Sequence, residues 1–228
     1  MKIAEVFTSI QGEGILSGVP SFFIRTTGCN LRCVFCDSPH TSWNPEGRDQ
    51  SLPQIIDGAI QSGIRHVVLT GGEPLLQHDI AELAACLRAA GLHLTIETAG
   101  TLFKELECDL ISLSPKLANS TPWERENGKY QQRHDDLRIQ PQVLRAFMDR
   151  HEYQLKFVVD QPNDLKEIQE LLGKLGQVER ARVLLMPQGI TREELDARSP
   201  WVVETCKKEG FRFCPRLQIE LYGNQRGT

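Results

Sequence analysis

The sequence lacks the marks of several large protein classes. No apolar run approaches the roughly 20 residues that span a bilayer, and the first residues, M-K-I-A-E-V-F-T, show no basic region followed by an apolar one. Positive charge is not in excess, because the net charge is -4 and the isoelectric point is about 5.9, so no bulk field attracts nucleic acid. No internal repeat, low-complexity tract or linker divides the chain. We therefore expect a single cytoplasmic domain over residues 1–228, with neither membrane nor nucleic acid as a partner.

The cysteines do not form the pattern of a disulfide framework. Their number, seven, is odd, and three of them lie close together, which favours a reducing compartment. Cys29, Cys33 and Cys36 follow a C-x3-C-x2-C spacing within the stretch G-C-N-L-R-C-V-F-C-D-S. Three thiolates at this spacing can hold one metal centre and leave a coordination position open for another ligand.

The number of available ligands bears on the identity of that metal centre. A structural zinc usually takes four ligands in two pairs, and His40 is the nearby candidate for a fourth here. The other cysteines are scattered, and we expect them to be small buried apolar side chains. A [4Fe–4S] cluster with one iron free of protein ligands is the better match, and a non-enzymatic zinc-binding module is the alternative.

Strand-like and helix-like stretches alternate about six times, which is typical of an α/β fold with a parallel sheet covered by helices. Short apolar runs predict strands at 3–7, 21–27, 66–70, 94–97, 109–113, 154–159 and 182–186. Apolar residues at helical spacing predict helices at 52–63, 79–90, 140–151, 163–176 and 191–210. Six units are too few for a complete eight-stranded barrel, so a partial (β/α)6 barrel fits the count. A doubly wound sheet is the alternative from periodicity.

The ends of the predicted strands carry the least generic residues of the chain: T-T-G-C, T-G-G-E-P, E-T-A-G, S-P-K and M-P-Q-G. Ligands of parallel α/β folds bind at the carboxyl ends of the strands. Arg25 interrupts the apolar strand that precedes the cysteines, and its planar guanidinium is suited to binding a carboxylate. The polar stretch 118–136 is expected to be an exposed loop rather than a mobile lid.

Two motifs, C-x3-C-x2-C after one strand and G-G-E-P after the next, resemble those of the radical S-adenosylmethionine (SAM) superfamily. A longer set extends from end to end of the chain and resembles the 7-carboxy-7-deazaguanine synthase family: E-V-F-T-S-I-Q-G-E-G, R-T-T-G-C-N-L-R-C-V-F-C-D-S, T-G-G-E-P, I-E-T-A-G-T, S-P-K and L-Y-G-N-Q-R-G-T. The resemblance implies a partial (β/α)6 barrel of the radical SAM type.

The resemblance also implies an activity. Members of that family are lyases that convert 6-carboxy-5,6,7,8-tetrahydropterin to 7-carboxy-7-deazaguanine with loss of ammonia, on the route to queuosine and other deazapurines. They use a [4Fe–4S] cluster, SAM and Mg²⁺, are usually homodimers, and need an electron donor that the sequence does not identify. In the superfamily, reductive cleavage of SAM yields a 5′-deoxyadenosyl radical that abstracts a hydrogen from the substrate.

By matching motif, the resemblance assigns three groups of site residues. Cys29, Cys33 and Cys36 would hold the cluster, and Ser38 would be the Mg²⁺ ligand where the family commonly has threonine. The residues expected to contact SAM are Phe35, Cys36, Asp37, Gly72, Ser114, Pro115, Lys116 and Gln188. The residues expected to contact the pterin are Ile10, Gln11, Gly12, Glu13, Arg25 and Thr70. The chain has Gln218 where family tails often carry a histidine, and no residue is assigned as a general acid or base.

A second enzyme class shares the cysteine motif. Glycyl-radical activating enzymes resemble this chain in that motif and in size, but they act on the backbone of a protein partner. The I-Q-G-E-G loop, Arg25 and the S-P-K motif favour a small anionic substrate over a polypeptide.

Overall fold

A computed structural model describes all residues from 1 to 228. One nine-stranded sheet extends through the chain, with the strand order β3-β1-β2-β4-β5-β6-β7-β8-β9. The strands are β1 Lys2–Ile10, β2 Pro20–Thr26, β3 Arg48–Asp49, β4 His66–Gly71, β5 His93–Thr98, β6 Leu110–Leu113, β7 Tyr153–Val159, β8 Val183–Pro187 and β9 Arg212–Phe213. No helix combines the length and the apolar character needed to cross a membrane.

Six strands from β2 to β8 are parallel and follow chain order within the sheet. Their sequences are nearly continuous apolar runs because both faces of each strand are covered, as in β6 and β8, where every residue is buried. A doubly wound sheet would reverse its strand order at a switch point, and no reversal occurs here. The sheet does not close, since β3 and β9 are its edges. The prediction of a partial (β/α)6 barrel is therefore confirmed.

Eight helices connect and cover the strands. They are α1 Pro39–Ser42, α2 Leu52–Gln61, α3 Ile80–Ala89, α4 Gln131–Leu137, α5 Pro141–Met148, α6 Asp164–Leu175, α7 Arg192–Glu209 and α8 Leu217–Tyr222. Helix α2 begins with a capping box between Ser51 and Gln54, and α7 begins with one between Thr191 and Glu194. The apolar faces of the larger helices pack on the sheet and form one core around residues such as Phe147 and Phe157.

Two regions differ from the sequence prediction. The first strand is longer than 3–7, runs antiparallel to β2 and pairs with it from Ile3 to Ile10, so the I-Q-G-E-G motif begins at the end of a hairpin strand. The interpretation of 118–136 as an exposed loop is wrong in part. That segment contains two short 3-10 turns and most of α4, and its Ser120 and His134 are buried, because both side chains anchor a neighbouring loop.

Candidate active site

A single cavity of about 440 Å³ lies at the carboxyl ends of the parallel strands. Residues from the end of β1, from the cysteine segment, from the ends of β4 to β8 and from the carboxyl-terminal tail line it. The structure brings together these residues that the motifs singled out: Ile10, Gln11, Gly12, Glu13, Arg25, Cys29, Cys33, Phe35, Cys36, Asp37, Ser38, Thr70, Gly72, Ser114, Lys116 and Gln188. Pro115 is buried and does not line the cavity, so its assignment as a SAM contact lacks support in the geometry.

The three cysteines of the motif share the cavity wall that the segment 28–38, here called the cluster loop, provides. Burial raises the pKa of Cys29 and of Cys33 to about 12, and burial also raises the pKa of Cys36. All three are therefore neutral thiols at pH 7, and binding of a metal centre would displace their protons.

The thiols fit an iron–sulfur cluster better than a single ion. No three cysteine, histidine or carboxylate side chains converge closely enough to hold one metal ion. Three thiols of one loop, spread along a shared wall, instead match the donor set of a cluster in which each thiolate binds a different iron. Cys29, Cys33 and Cys36 would hold that cluster, and the cavity in front of them leaves room for a ligand on the remaining iron.

Two glycines let the end of β4 pack closely against β2 and the cluster loop. A Cβ atom on Gly71 would lie 2.2 Å from the Thr26 carbonyl oxygen, and one on Gly72 would lie 2.2 Å from the Gly28 carbonyl oxygen. The absence of side chains lets the Glu73 N–H donate to the Gly28 oxygen at 2.8 Å. The glycines of the G-G-E-P motif thus permit close backbone packing, which fixes the loop that carries the cysteines.

Glu73 of the same motif is fully buried and serves the structure of the strand ends. Its carboxylate accepts hydrogen bonds from the Thr98 hydroxyl at 2.8 Å, the Ala99 N–H at 2.9 Å and the Leu75 N–H at 3.1 Å. Burial raises the pKa of Glu73, although these hydrogen bonds favour its charged form. Glu73 does not line the cavity, so it ties the turn after β4 to the end of β5.

His134 fastens the other side of the cluster loop. Its Nδ1 accepts the Arg32 N–H at 3.0 Å, and its Nε2 lies 2.9 Å from the Ser120 hydroxyl. Because Nδ1 accepts, the proton of the neutral ring is on Nε2, which donates to Ser120. Burial lowers the pKa of His134 to about 4, so the ring stays neutral. The Val34 N–H also donates to the Ser120 carbonyl at 2.8 Å, and the segment 118–136 is therefore a support for the cluster loop.

The cavity wall also carries a buried network of charged groups centred on Glu13. Its carboxylate pairs with Lys156 of β7 and with Arg216 of the tail, whose Nε lies 3.1 Å away. The Gln218 amide donates to the same carboxylate at 2.8 Å. Burial acts to raise the pKa of Glu13, but the two cations outweigh it and hold that pKa far below its usual range.

Arg216 connects this network to the cluster loop. Its guanidinium also pairs with Asp37, the residue after the last cysteine. Desolvation acts to raise the pKa of Asp37, yet Arg216 holds it below the ordinary value. One buried arginine therefore fixes a residue assigned to SAM and a residue assigned to the pterin relative to each other.

A second polar cluster surrounds Glu97 at the end of β5. Its carboxylate accepts from the Thr70 hydroxyl at 2.9 Å and from the Gln11 amide at 3.2 Å, and the Lys156 ammonium lies 4.0 Å away. Each of these four side chains lines the cavity. The Glu97 carboxylate is thus a fixed hydrogen-bond acceptor in the cavity, which suits the N–H groups of a ligand.

Arg25 and Ser38 form a third group beside the cluster loop. The Arg25 Nε lies 2.7 Å from the Glu5 Oε1, and its Nη1 donates to the Ser38 hydroxyl at 3.3 Å. Glu5 also lies 3.6 Å from His40, so His40 has a partner other than the cysteines. The Ser38 hydroxyl donates in turn to Asp37 at 3.2 Å.

The sequence analysis missed several residues of the cavity: Glu5, Glu97, Lys156, Arg216 and the tail residues 223–228. A signal existed for two of them, because Glu97 and Lys156 are charged residues within the apolar strands β5 and β7. For the tail, the sequence offered only the motif L-Y-G-N-Q-R-G-T, without a role for its residues. The tail reaches the cavity because Gly12 has no side chain: a Cβ there would lie 1.8 Å from the Gln218 Oε1.

Comparison with known proteins gives concordant results. Residues 23–156 match the model of the radical SAM superfamily. The chain is 47% identical over its whole length to the 7-carboxy-7-deazaguanine synthase of Rhodopirellula baltica, of which it covers 89%, and 46% identical to that of Halobacterium salinarum, of which it covers 93%. The crystal structure of QueE from Escherichia coli is similar over 93% of this chain and 92% of that one, with a TM-score of 0.68 and 27% identity.

Proposed function

The chain belongs to the 7-carboxy-7-deazaguanine synthase family of the radical SAM superfamily, and from this premise we propose that its cavity converts 6-carboxy-5,6,7,8-tetrahydropterin to 7-carboxy-7-deazaguanine with loss of ammonia. The observation that carries the proposal is the composition of the cavity. Three thiols line one wall, and two clusters of fixed charge line the rest of the same 440 Å³ space. The thiols would hold the group that supplies the radical chemistry, and the charged side chains would bind and orient a polar substrate in the same space.

The polar clusters suit the two ends of the proposed substrate. Glu97, with its partners Thr70 and Gln11, would receive the N–H groups of the pyrimidine ring. Arg25 would bind the substrate carboxylate, since its guanidinium lines the cavity next to the Ser38 hydroxyl. Ile10, Gly12 and Glu13 complete the proposed substrate contacts.

Mg²⁺ would bind beside that carboxylate. Ser38 supplies one hydroxyl oxygen, and Mg²⁺ accepts such a ligand when the substrate and water complete its octahedral shell. The ion would then compensate charge on the substrate carboxylate and fix its orientation.

SAM would lie between the cysteines and the strand ends. The proposed contacts are Phe35, Cys36 and Asp37 of the cluster loop, Gly72 after β4, Ser114 and Lys116 after β6, and Gln188 after β8. The Lys116 ammonium donates to the Ser114 hydroxyl at 2.8 Å, which presents a cation to the SAM carboxylate. When bound, the cluster and SAM supply hydrogen abstraction, and the protein's own residues bind and orient the pterin.

The cluster would receive its electron from a separate donor, and the family relationship supports a homodimer in the cytoplasm. A glycyl-radical activating enzyme would need a cavity that admits a polypeptide backbone. The fixed carboxylates and cations of this cavity suit a small charged heterocycle better.

Anaerobic reconstitution of matched cysteine variants tests the proposal. Cys33→Ala removes a cluster ligand, and we expect it to lose the brown absorbance, the iron and sulfide, and the turnover of carboxytetrahydropterin. Cys86→Ala removes a cysteine of α3 that lies outside the cavity, and it should keep all three. A Cys33→Ala protein that retains cluster and turnover, or a wild type that binds one tight zinc and no iron, contradicts the assignment.

A further inference from the structure

The sulfur atoms of the three cluster cysteines differ in their hydrogen-bond partners. The Leu31 N–H donates to the Cys29 sulfur at 3.4 Å, and the Ser38 N–H donates to the Cys36 sulfur. Both donors are backbone groups of the cluster loop itself. No side chain forms a hydrogen bond with the sulfur of Cys29 or Cys33, so any side-chain contact to Cys36 sets that cysteine apart.

Cys36 has such a contact with Ser42. The Ser42 Oγ lies 3.2 Å from the Cys36 Sγ. Ser42 is the last residue of α1 and therefore lies outside the cluster loop. The contact joins the last cysteine of the motif to the helix into which the loop leads.

The Ser42 hydroxyl is committed to this sulfur. Ser42 is 2% exposed, and its hydroxyl makes no other hydrogen bond. The adjacent Thr41 behaves differently, because its hydroxyl donates to the Ser38 carbonyl at 2.8 Å, a local backbone contact of the usual kind. A buried hydroxyl without a partner costs free energy, and for Ser42 the Cys36 sulfur is the group that prevents this cost.

Binding of a metal centre decides the direction of this hydrogen bond. In the metal-free protein either the thiol or the hydroxyl can be the donor. A cysteine that ligates iron has lost its proton, so its sulfur can only accept. The Ser42 hydroxyl has one O–H to give and must then be the donor.

A donor at this position affects how easily a cluster accepts an electron. Reduction adds negative charge, and part of that charge resides on the sulfur ligands. An O–H that donates to a ligand sulfur therefore stabilises the reduced form more than the oxidised form. Hydrogen bonds to the sulfurs are among the factors that set the reduction potential of an iron–sulfur cluster.

On the premise of the proposed function, we propose that Ser42 raises the reduction potential of the cluster by donating a hydrogen bond to the Cys36 thiolate. Ser42 is thus a positioning residue, since it acts through the Cys36 sulfur. One electron enters the cluster on reduction, and no covalent bond forms or breaks at Ser42. The three ligands then have different roles, because Cys36 alone carries a side-chain donor.

A redox titration of the reconstituted protein without SAM, followed by electron paramagnetic resonance, tests the proposal. In Ser42→Ala we expect the ratio of reduced to oxidised cluster at a fixed potential to fall about fivefold, which lowers the midpoint by about 40 mV for one electron. Iron and sulfide content should equal that of wild type, because all three thiols remain. Ser42→Thr keeps a hydroxyl and should restore at least half of the lost potential.

The matched control is Thr41→Val. It removes a hydroxyl from the adjacent buried residue of the same helix, but that hydroxyl donates to a carbonyl and not to a sulfur. The control should change the same ratio by less than about 1.5-fold. An equal fall in the control, or a wild-type midpoint in Ser42→Ala, would overturn the proposal. So would a Ser42→Ala protein that binds no cluster where Thr41→Val binds one, because Ser42 would then be needed to form the site.

Deuterium exchange tests the hydrogen bond itself. Electron–nuclear double resonance of the reduced cluster in D₂O should show an exchangeable deuteron that is absent from Ser42→Ala and present in Thr41→Val. An unchanged set of deuteron signals in Ser42→Ala would contradict the proposal.

These measurements also separate this proposal from the proposed function, since neither uses the pterin. A lower midpoint in Ser42→Ala supports the role of Ser42 even if the wild type leaves the pterin unchanged, a result that contradicts the proposed function alone. A wild type that converts the pterin, with an unshifted midpoint in Ser42→Ala, overturns the role of Ser42 alone.

Discussion

Glu13 is the residue on which the charges of the cavity converge. It lies in the hairpin loop near the amino terminus, yet its partners Lys156 and Arg216 come from β7 and from the tail. Two buried cations share this one carboxylate. Asp37 is a second anionic partner of Arg216, and Glu97 is a second anionic neighbour of Lys156. Such a network leaves few orientations open to each side chain, so the cavity presents fixed charges to its ligands.

Glu13→Gln should therefore destabilise the metal-free protein strongly. The amide cannot compensate Lys156 and Arg216, and removal of one partner from a buried pair typically costs about 3–5 kcal/mol of unfolding free energy. The double variant Glu13→Gln/Lys156→Met removes the uncompensated ammonium and should recover part of that loss. Denaturant unfolding of the three proteins measures both effects.

The control for this comparison is Glu204→Gln in the exposed pair with Lys207, which should change the unfolding free energy by less than about 0.5 kcal/mol. The Glu13 network does not stabilise the fold as described if Glu13→Gln lowers the unfolding free energy no more than Glu204→Gln does. A double variant that is no more stable than Glu13→Gln would contradict the account as well.

The cluster loop is the element on which the function depends, and three other segments hold it. The G-G-E-P turn packs against its start, the Gly28 N–H donates to the Thr41 carbonyl of α1 at 2.8 Å, and His134 with Ser120 supports its middle. Close packing at Gly72 and hydrogen bonds on the other side restrict the loop before any metal binds. This preorganisation allows one loop to present three thiols to a cluster.

Gly72→Ala should weaken cluster binding through this packing. The new methyl group would meet the Gly28 carbonyl at 2.2 Å, and this contact requires the cluster loop to move away from β4. We expect less than half of the wild-type iron content after reconstitution, measured by iron and sulfide analysis. Gly173→Ala in α6 is the control, since a Cβ there meets no atom within 4 Å.

The control should retain full iron content and gain about 0.5–1 kcal/mol of stability, because alanine replaces glycine within a helix. A Gly72→Ala protein with wild-type iron content would contradict the view that this glycine is required for packing of the loop.

The strand ends could be predicted from the sequence because the information is local. Each apolar run of a buried parallel strand is followed by a glycine or a polar residue, and parallel strands necessarily bring their carboxyl ends to one edge. The partners of Glu13 could not be predicted in this way, since Arg216 lies 203 residues away along the chain. The support role of 118–136 was missed because its polar composition resembles that of a solvated loop, and only the folded chain shows that His134 is buried.

At the scale of the whole molecule, the fold separates two tasks at one end of the sheet. The open partial barrel collects the strand ends around one cavity, with the thiols on one wall and the fixed charges on the others. The tail closes the cavity from a third side and contributes Arg216.

One measurement tests the central claim most directly: the product formed by the reconstituted protein with SAM, a chemical reductant, Mg²⁺ and 6-carboxy-5,6,7,8-tetrahydropterin. The account predicts 7-carboxy-7-deazaguanine and ammonia in equal amounts, detected by mass spectrometry and by an ammonia assay, with none formed by Cys33→Ala. A wild type that contains the cluster and cleaves SAM, but leaves the pterin unchanged, would contradict it.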